Sequence, residues 1–425
     1  MDILLPYGHQ ELTYHINDRE IDIDCALPPD VPAIELMPAL KQGFADPIGT
    51  PPLQEILKER SNITIVFSDR TRAYPAAEII AALGEEIAAA GIPDDAVTLL
   101  CGAGAHAHNT LEICREIVGQ VNAGRYNLVV HNAADESAMD FLGTTRYGTD
   151  IRVNPLVSQT DCLVLTGTIV PHYYAGFSGG RKGVVPGAAA ESTIVRNHSL
   201  NFYGMAAGRN QAARTCNLEG NPVHADMLEG ARMTGVDFIV NTTTRDDGTV
   251  TGIFCGELEQ AHASGCRFFM EHYRHELAGE YDIVITSAGG APKDGSLYQA
   301  HKAIDNAFKA VRSGGILVIA AECSEGFGKD EFLHWLQVWD KGEIEKRLRA
   351  KYQVEGHTAM CLRMKASEIR IMLVSELDSA EVRASGMEPF NRIEKAAATA
   401  LLLSQRESGG DPRVLYIPCG SQFIM

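Results

Sequence analysis

The stretch from Pro171 to Gly187, PHYYAGFSGGRKGVVPG, holds side chains that could carry out acid–base or covalent chemistry. His172 and Lys182 stand ten residues apart, and glycines surround the lysine. Histidine titrates near neutral pH, whereas lysine can hold a phosphate or attack a carbonyl. Gly179 and Gly180 would let the backbone approach a ligand closely. The stretch is neither a Walker sequence nor GxGxxG, so alone it does not name the ligand.

A second segment, SDRTRAYP (Ser68 to Pro75), joins an apolar run to a helical pattern. Its proline suits the first turn of a helix, and Asp69 or Thr71 could cap that helix. Arg70 and Arg72 beside a helix N-terminus indicate an anion site. A capped turn with surface arginines would explain the same residues without a ligand.

A third segment, GAGAHAHNT, contains His106 and His108. Alternate residues of an extended chain face the same side, so the pair could bind a metal. Short HxH matches also arise by chance, with one histidine in a pocket and the other on the surface.

Two predicted helices add further candidates. His198 follows Lys182 by sixteen residues, where a lone histidine usually belongs to the core or caps a helix. Gln299 and Lys302 share one helix face, which an ordinary amphipathic helix would also explain.

These segments depend on a repeated alternation of apolar strands and helices, which favours an α/β fold with mostly parallel sheets. The first series of predicted strands reads NITIVFSD, AVTLLCGAG and DCLVLTGTIV. A second series begins near residue 280, and it includes a predicted helix, SLYQAHKAIDNAFKAVRS, that stops at Gly314 and Gly315. We therefore predict two α/β domains, residues 1–275 and 276–425, with the active site in a cleft between them. Because ligands bind beyond the carboxyl ends of parallel strands, the unusual loops at those ends predict an enzyme.

The bulk composition narrows the class of partner. The 425 residues are 45% hydrophobic and 22% charged, as in globular domains. A net charge of −18 argues against nucleic acid or an anionic membrane as the main partner. No signal peptide or membrane-spanning apolar run is visible. Ten cysteines without a CxxC pair indicate reduced thiols and a cytoplasmic protein. The oligomeric state is left open.

Taken in order, SDRTRAYP, the glycine-flanked His106, PHYYAGFSGGRKGVVPG, RNHSL and YQAHK carry a family resemblance. Over nearly its full length the chain resembles the nickel-dependent lactate racemase family. The spacing of His172, Lys182 and His198 is the most specific part of the match.

The resemblance implies a nickel-pincer nucleotide, a pyridinium mononucleotide with two sulfur-containing arms, attached through a thioamide to Lys182. It implies His198 as the protein ligand of nickel, and His106 and His172 as acid–base groups flanking the substrate. It also implies cofactor-biosynthesis proteins as partners. The other implied contacts are Asp69, Thr71, Gly179 and Gly180 for the cofactor, and Arg72, Tyr298, Gln299, Lys302 and His357 for the substrate.

The implied reaction is racemisation or epimerisation of a small 2-hydroxy acid. One histidine takes the hydroxyl proton, the α-hydrogen moves as hydride to the cofactor, and a planar 2-keto acid accepts the hydride back on its other face. Lactate-specific members place a tryptophan over the substrate, whereas the matching region here reads YQVEGHTAMCL. The pair Gly356 and His357 in its place predicts a substrate other than lactate.

Two alternatives have different requirements. A zinc hydrolase using His106 and His108 would need further ligands at strand ends. A non-catalytic nucleotide-binding or cofactor-carrier protein would need the glycine-rich loop but not two flanking histidines.

Overall fold

The computed structural model describes residues 2–16, 23–27, 29–71, 74–105, 109–245, 247–338 and 340–420. Contacts divide the chain into two compact units. One is the continuous stretch Val31–His272, here called the central unit, and the other combines Met1–Asp30 with Tyr273–Met425 and is called the split unit. Each is a mixed α/β structure with a mainly parallel sheet, as the strand–helix alternation predicts.

The first thirty residues form β1 (Asp2–Tyr7), β2 (Gln10–His15) and β3 (Ile23–Cys25). Strands β1 and β2 pair as an antiparallel hairpin. Ile3 and Leu5 of β1 are fully buried in the same core as the strands of the C-terminal half. The predicted domain of residues 1–275 is therefore wrong at its start, because this segment belongs to the split unit.

The central unit contains the following strands and helices: β4 (Ile63–Ser68), β5 (Val97–Gly102), β6 (Asn127–Val130), β7 (Asp140–Thr144), β8 (Asp150–Val153), β9 (Cys162–Thr168), β10 (Pro171–His172), β11 (Gly176–Phe177), β12 (Phe238–Thr244) and β13 (Val250–Gly256), with α1 (Leu36–Ala45), α2 (Leu53–Ile56), α3 (Ala76–Ala89), α4 (Leu111–Val118), α5 (Gln120–Arg125), α6 (Pro155–Ser158), α7 (Glu191–Ser199), α8 (Pro222–Met233) and α9 (Gln260–Tyr273). Its main sheet has the order β13-β12-β9-β4-β5-β6, and only the β12–β13 pair is antiparallel.

Both faces of this sheet are covered, as the mainly apolar and almost wholly buried sequence of β4 requires. Ile65 and Phe67 belong to one buried cluster and Val66 to another. Successive residues of a strand face opposite sides, so the two clusters are the two layers between sheet and helices. Helix α4 is capped by Thr110, whose hydroxyl accepts from the N–H of Ile113 at 3.3 Å.

The C-terminal part of the split unit contains β14 (Tyr281–Ser287), β15 (Val311–Ala320), β16 (Arg370–Val374), β17 (Glu388–Phe390) and β18 (Val414–Ile417), with α10 (Leu297–Ala307), α11 (Asp330–Leu336), α12 (Lys341–Ala350), α13 (Val354–Glu368), α14 (Ser379–Ala384) and α15 (Ile393–Ser408). The parallel sheet has the order β17-β16-β15-β14-β18-β3. The predicted helix through residue 313 is wrong in its last turns: α10 ends at Ala307, and Gly314 and Gly315 lie inside β15.

No helix in the part of the chain that the structure describes is long and apolar enough to cross a membrane.

Candidate active site at the carboxyl edge of the central sheet

Three neighbouring parallel strands, β9, β4 and β5, end at one edge of the central sheet. Asp69 and Thr71 follow β4, and the segment from His172 to Lys182 follows β9. His106 and His108 come after β5 but, like Arg72, lie outside the described residues. The sheet therefore brings Asp69 to the same edge as the loop that carries His172 and Lys182.

The loop after β9 is closed by Ser178. Its hydroxyl donates to the carbonyl of Thr168 at 2.7 Å, and its N–H donates to the carbonyl of Val170 at 2.9 Å. Within this closed loop, β10 pairs with β11 so that His172 lies opposite Gly176. The loop is a defined hairpin rather than a loose surface segment.

Tyr174, a buried residue of this hairpin, contacts two of the candidate histidines. Its ring meets the imidazole of His172 edge to face, with 4.5 Å between centroids, and meets that of His198 at 5.0 Å. The phenol ring therefore brings together two histidines that are far apart in the sequence.

The tautomer of His172 follows from a backbone contact. The N–H of Ala175 lies 3.3 Å from Nδ1 of His172 and donates to it. In the neutral imidazole the proton is then on Nε2. The contact is long for a hydrogen bond, so the ring can give it up and move its proton to Nδ1 at low cost.

His198 lies on α7 and is only 5% exposed. The amide nitrogen of Asn197 donates to the carbonyl of Val223 at 3.1 Å and to the carboxylate of Asp226 at 2.8 Å. This turns the amide oxygen of Asn197 toward Nδ1 of His198, at 3.2 Å. An oxygen acceptor requires an Nδ1–H donor, so the lone pair of the imidazole is on Nε2.

The buried carboxylate of Asp226 is itself held in place. The hydroxyl of Thr145 donates to it, as does Asn197. Burial raises the pKa of Asp226, while these two hydrogen bonds oppose that shift. The chain Asp226–Asn197–His198 is the kind of outer support that orients a metal-binding histidine.

Lys182 lies on a short 3-10 turn, Gly180–Gly183, and is half-buried. Gly179 and Gly180 both have positive φ, 78° and 50°, which side-chain-bearing residues rarely adopt. A Cβ on Gly179 would come within 2.8 Å of Oδ1 of Asn241. The N–H of Gly180 donates to that same oxygen at 2.8 Å, so in the structure this N–H is not available to a bound anion.

The turn after β4 is organised around Asp69, which is 4% exposed. The N–H of Thr71 donates to its Oδ1 at 3.1 Å, and the Thr71 hydroxyl donates to the same oxygen. Neither caps α3, whose N-cap is Pro75 without a side-chain hydrogen bond. The predicted cap is therefore wrong, because Asp69 serves its own turn instead.

Comparison with known proteins decides the family. The lactate racemase N-terminal domain model matches residues 7–209, and the lactate racemase C-terminal domain model matches residues 278–425. A lactate racemase from Thermoanaerobacterium thermosaccharolyticum is 33% identical over 79% of this chain and 78% of its own length. One from Lactiplantibacillus plantarum is 34% identical over 69% of this chain and 68% of its own. The chain belongs to the lactate racemase family. Membership supports an isomerase with racemase activity.

Solved structures agree with this family membership. The lactate racemase apoprotein from Thermoanaerobacterium thermosaccharolyticum superposes with a TM-score of 0.89 at 30% identity, covering 100% of this chain and 99% of that one. A Thermotoga maritima protein superposes with a TM-score of 0.66 at 16% identity, covering 94% and 100%, which extends the likeness in fold alone.

In the split unit, the residues predicted to contact substrate begin α10. Nζ of Lys302 donates to Oε1 of Gln299 at 2.7 Å, so the two side chains are joined on one helix face. Tyr298 is half-buried, with its ring against Phe332 at 5.2 Å and the ammonium of Lys329 at 5.2 Å from the ring centre. Their contact with substrate remains a prediction.

His357 lies on α13 and has no exposed surface. Its ring lies near that of Tyr352, and its Nε2 is 3.7 Å from the sulfur of Cys361. A side chain so enclosed cannot contact a ligand in this conformation. Its neighbour Gly356 faces the indole of Trp335, which a Cβ would approach to 2.6 Å. Trp339 lies outside the described residues.

Several residues of the site carry no sequence signal of their own. Tyr174, Asn197, Asn241 and Asp226 matter through contacts with residues distant in the chain. Asn241 could have been noticed, because it directly follows the apolar residues FIV of β12, and an amide is expensive to bury without a partner. Within the described residues, no three His, Cys, Asp or Glu side chains are grouped to hold a metal.

Proposed function

We propose that the chain racemises or epimerises a 2-hydroxy acid with the help of a nickel-pincer nucleotide joined covalently to Lys182. The observation that supports this most directly is the contact of His172 and His198 with the single ring of Tyr174. An acid–base histidine and a metal-binding histidine would need such proximity to act on one substrate. The reaction class, racemisation, is supported by the lactate racemases among the relatives of this chain.

The residues present fit this cofactor. His198 is held with its lone pair on Nε2, which is the state in which imidazole binds nickel. Lys182 stands on a turn in which Gly179 and Gly180, just before it, adopt positive φ. When bound, the cofactor supplies the acceptor and donor for the α-hydrogen of the substrate. Its loading would require the proteins that make it.

His172 would handle the proton of the substrate hydroxyl. In the observed tautomer Nδ1 accepts from Ala175 and Nε2 carries the proton. To take a proton at Nε2, the imidazole must first move its own proton to Nδ1 and give up the Ala175 contact. At 3.3 Å that contact contributes little, so His172 can serve as a base without disturbing the hairpin.

The second acid–base group of the proposal is His106. A planar 2-keto acid has two faces, so complete racemisation needs a proton carrier on each. Arg72 is proposed to bind the substrate carboxylate as a charged donor. Asp69 and Thr71 are proposed to face the cofactor from the turn after β4.

We further propose a substrate other than lactate. Helix α13 has no tryptophan, and its glycine at 356 leaves room that the indole of Trp335 fills from the side. A glycine and a histidine in place of the tryptophan of lactate-specific members favour a substrate with a longer or more polar side chain. The contact of His357 with that side chain requires this helix to shift from its present packing.

The test is a screen of enantiopure 2-hydroxy acids with protein made in cells that also express the cofactor-making proteins. Optical rotation measures racemisation, and intact mass measures the adduct. Racemisation by protein that carries the adduct on Lys182 supports the proposal. Activity with an unmodified lysine contradicts the cofactor assignment, and complete inactivity of loaded protein contradicts the reaction class.

A further inference from the structure

Arg181, the residue before Lys182, is turned into the interior of the central unit and is only 1% exposed. Its Nη2 donates to the carbonyls of Ala175 and Phe177, at 2.8 and 3.0 Å. Its Nη1 lies 3.4 Å from the carbonyl of Gly179. One guanidinium therefore binds three carbonyls of the hairpin that leads from His172 to the lysine turn.

The fourth contact of Arg181 comes from α9. Nη1 lies 2.8 Å from Nε2 of His262, which is also 2.8 Å from the carbonyl of Ser178. Burial, and then the charge of Arg181, lower the pKa of His262 to about 3. A neutral imidazole can accept from Arg181 on Nε2, or donate from Nε2 to Ser178, and either tautomer ties α9 to this hairpin.

The charge of Arg181 has no acidic partner in the part of the chain that the structure describes. Burial lowers its pKa to about 10, which still leaves it cationic at neutral pH. Burying a cation without a carboxylate is unfavourable unless its donors are all used, and here Nε has no partner. A residue selected only for packing at this position would be apolar, so a role in fixing the backbone explains the arginine better.

Asn241 holds the other side of the turn. It lies on β12, next to β9, and has no exposed surface. Its Oδ1 accepts from the N–H of Gly180, while its Nδ2 donates to the carbonyl of Val240 at 3.1 Å. The amide is thus committed on both sides, and it ties the first residue of the turn to the sheet.

We infer that Arg181 and Asn241 are positioning residues that fix the turn Gly180–Gly183 and so set the direction in which Lys182 leaves it. Successive residues of a 3-10 turn point about 120° apart, since three residues complete a turn. Anchoring Arg181 inward at four points therefore forces Lys182 outward. This inference rests on the proposed function only in taking Lys182 as the attachment point of the cofactor.

The first experiment uses the protein without cofactor, so it does not depend on racemase activity. A small amine-acylating reagent is added, and peptide mass spectrometry gives the labelling rate of Lys182 relative to the exposed Lys41. The variants are Arg181→Met, Arg181→Lys and Asn241→Ala. The control is Arg60→Lys, because Arg60 also binds backbone carbonyls, those of Ile56 and Asp161, elsewhere in the same unit.

We expect Arg181→Met and Asn241→Ala to change the Lys182-to-Lys41 labelling ratio by about tenfold, as expected when one conformation gives way to many. Arg181→Lys should give a smaller change, because its ammonium reaches fewer carbonyls. Arg60→Lys should leave the ratio unchanged. If Arg181→Met does not fold, Arg181→Lys and Asn241→Ala decide the matter.

The second experiment uses loaded protein. The occupancy of the adduct on Lys182 should fall in Arg181→Lys, and kcat should fall more than the KM for substrate rises. Labelling ratios within twofold of wild type in the folded variants would overturn the inference. Wild-type protein that lacks both the adduct and racemisation would instead overturn the proposed function. The labelling ratios, measured without cofactor, would then still test the positioning role.

Discussion

Oδ1 of Asn197 and Nδ1 of His198 lie 3.2 Å apart on adjacent residues of α7. The remaining hydrogen bonds of Asn197, to Val223 and Asp226, allow the amide only one orientation. The packing of α7 on α8 therefore determines that His198 carries its proton on Nδ1.

His198→Ala should remove nickel while the organic adduct on Lys182 remains, because the imidazole is the proposed protein ligand. Asn197→Leu should weaken nickel binding by about 10–100-fold, the usual effect of losing an outer-shell partner. Metal analysis together with intact mass checks both variants. Full nickel occupancy in active His198→Ala would contradict the assignment.

Lys182→Ala should abolish both the mass adduct and racemisation, since the thioamide needs the amine. The matched control is Lys41→Ala, a substitution of an exposed lysine in the same unit, which should retain both. Peptide mass spectrometry locates the adduct. An adduct that persists elsewhere in the Lys182→Ala protein would show that the anchor is a different residue.

His172→Ala and His106→Ala should each lose about 10²–10⁴-fold in racemisation, the usual contribution of a general acid–base group. Each variant should still form a trace of keto acid from one enantiomer in a single turnover. His108→Ala distinguishes the two-base assignment from the zinc hydrolase hypothesis, in which His106 and His108 both bind metal. If His108→Ala loses metal, or His106→Ala racemises normally, the two-base assignment fails.

Stability should depend on pH through His262. Its pKa is lowered to about 3 in the folded chain, against about 6.5 in the unfolded chain. The unfolded state therefore binds more protons between these values, and this contribution to stability is lost as the pH falls from about 6.5 toward 3. The difference in free energy of unfolding between wild type and His262→Gln should shrink by up to about 1.4 kcal/mol per pH unit.

Urea unfolding of both proteins at pH 7 and pH 5 measures this effect. His272→Gln, an exposed position on the same helix, serves as the control. A difference between wild type and His262→Gln that is constant over this range would show that the buried imidazole does not carry the pH dependence.

The preferred substrate should have a kcat/KM at least about tenfold above that of either lactate enantiomer, the scale of discrimination that one pocket contact gives. Trp335→Phe should narrow this preference, because the indole borders the space beside Gly356. Competition between lactate and each candidate acid gives the ratio directly. Lactate as the best substrate would contradict the proposal.

Much of the fold follows from the sequence. The runs NITIVFSD, AVTLLCGAG and DCLVLTGTIV predict β4, β5 and β9 where they occur, because strands buried on both faces have mainly apolar sequences. Helix ends were less accurate. Residues 308–313 continue the apolar pattern of α10, and Gly314 and Gly315 look like a stop signal, yet pairing with β14 extends β15 back to Val311.

For the candidate site, the sequence indicates the titratable residues but not the residues that hold them in place. His172, Lys182 and His198 stand out by type and spacing. Arg181 does not stand out in the sequence, since its burial depends on carbonyls that only the folded hairpin brings together. Tertiary contact, which one sequence does not display, decides such cases.

Because the chain is synthesised from its N-terminus, the two units can complete their folding at different times. The central unit has all its strands in one continuous stretch, so it can fold while the rest of the chain is still being made. Strand β3 must wait for its partner β18, which is formed from residues 414–417. Closing so distant a pair is slow. Until residues 414–417 have been made, β3 lacks the strand that joins it to the parallel sheet, whereas β1 and β2 can already pair with each other.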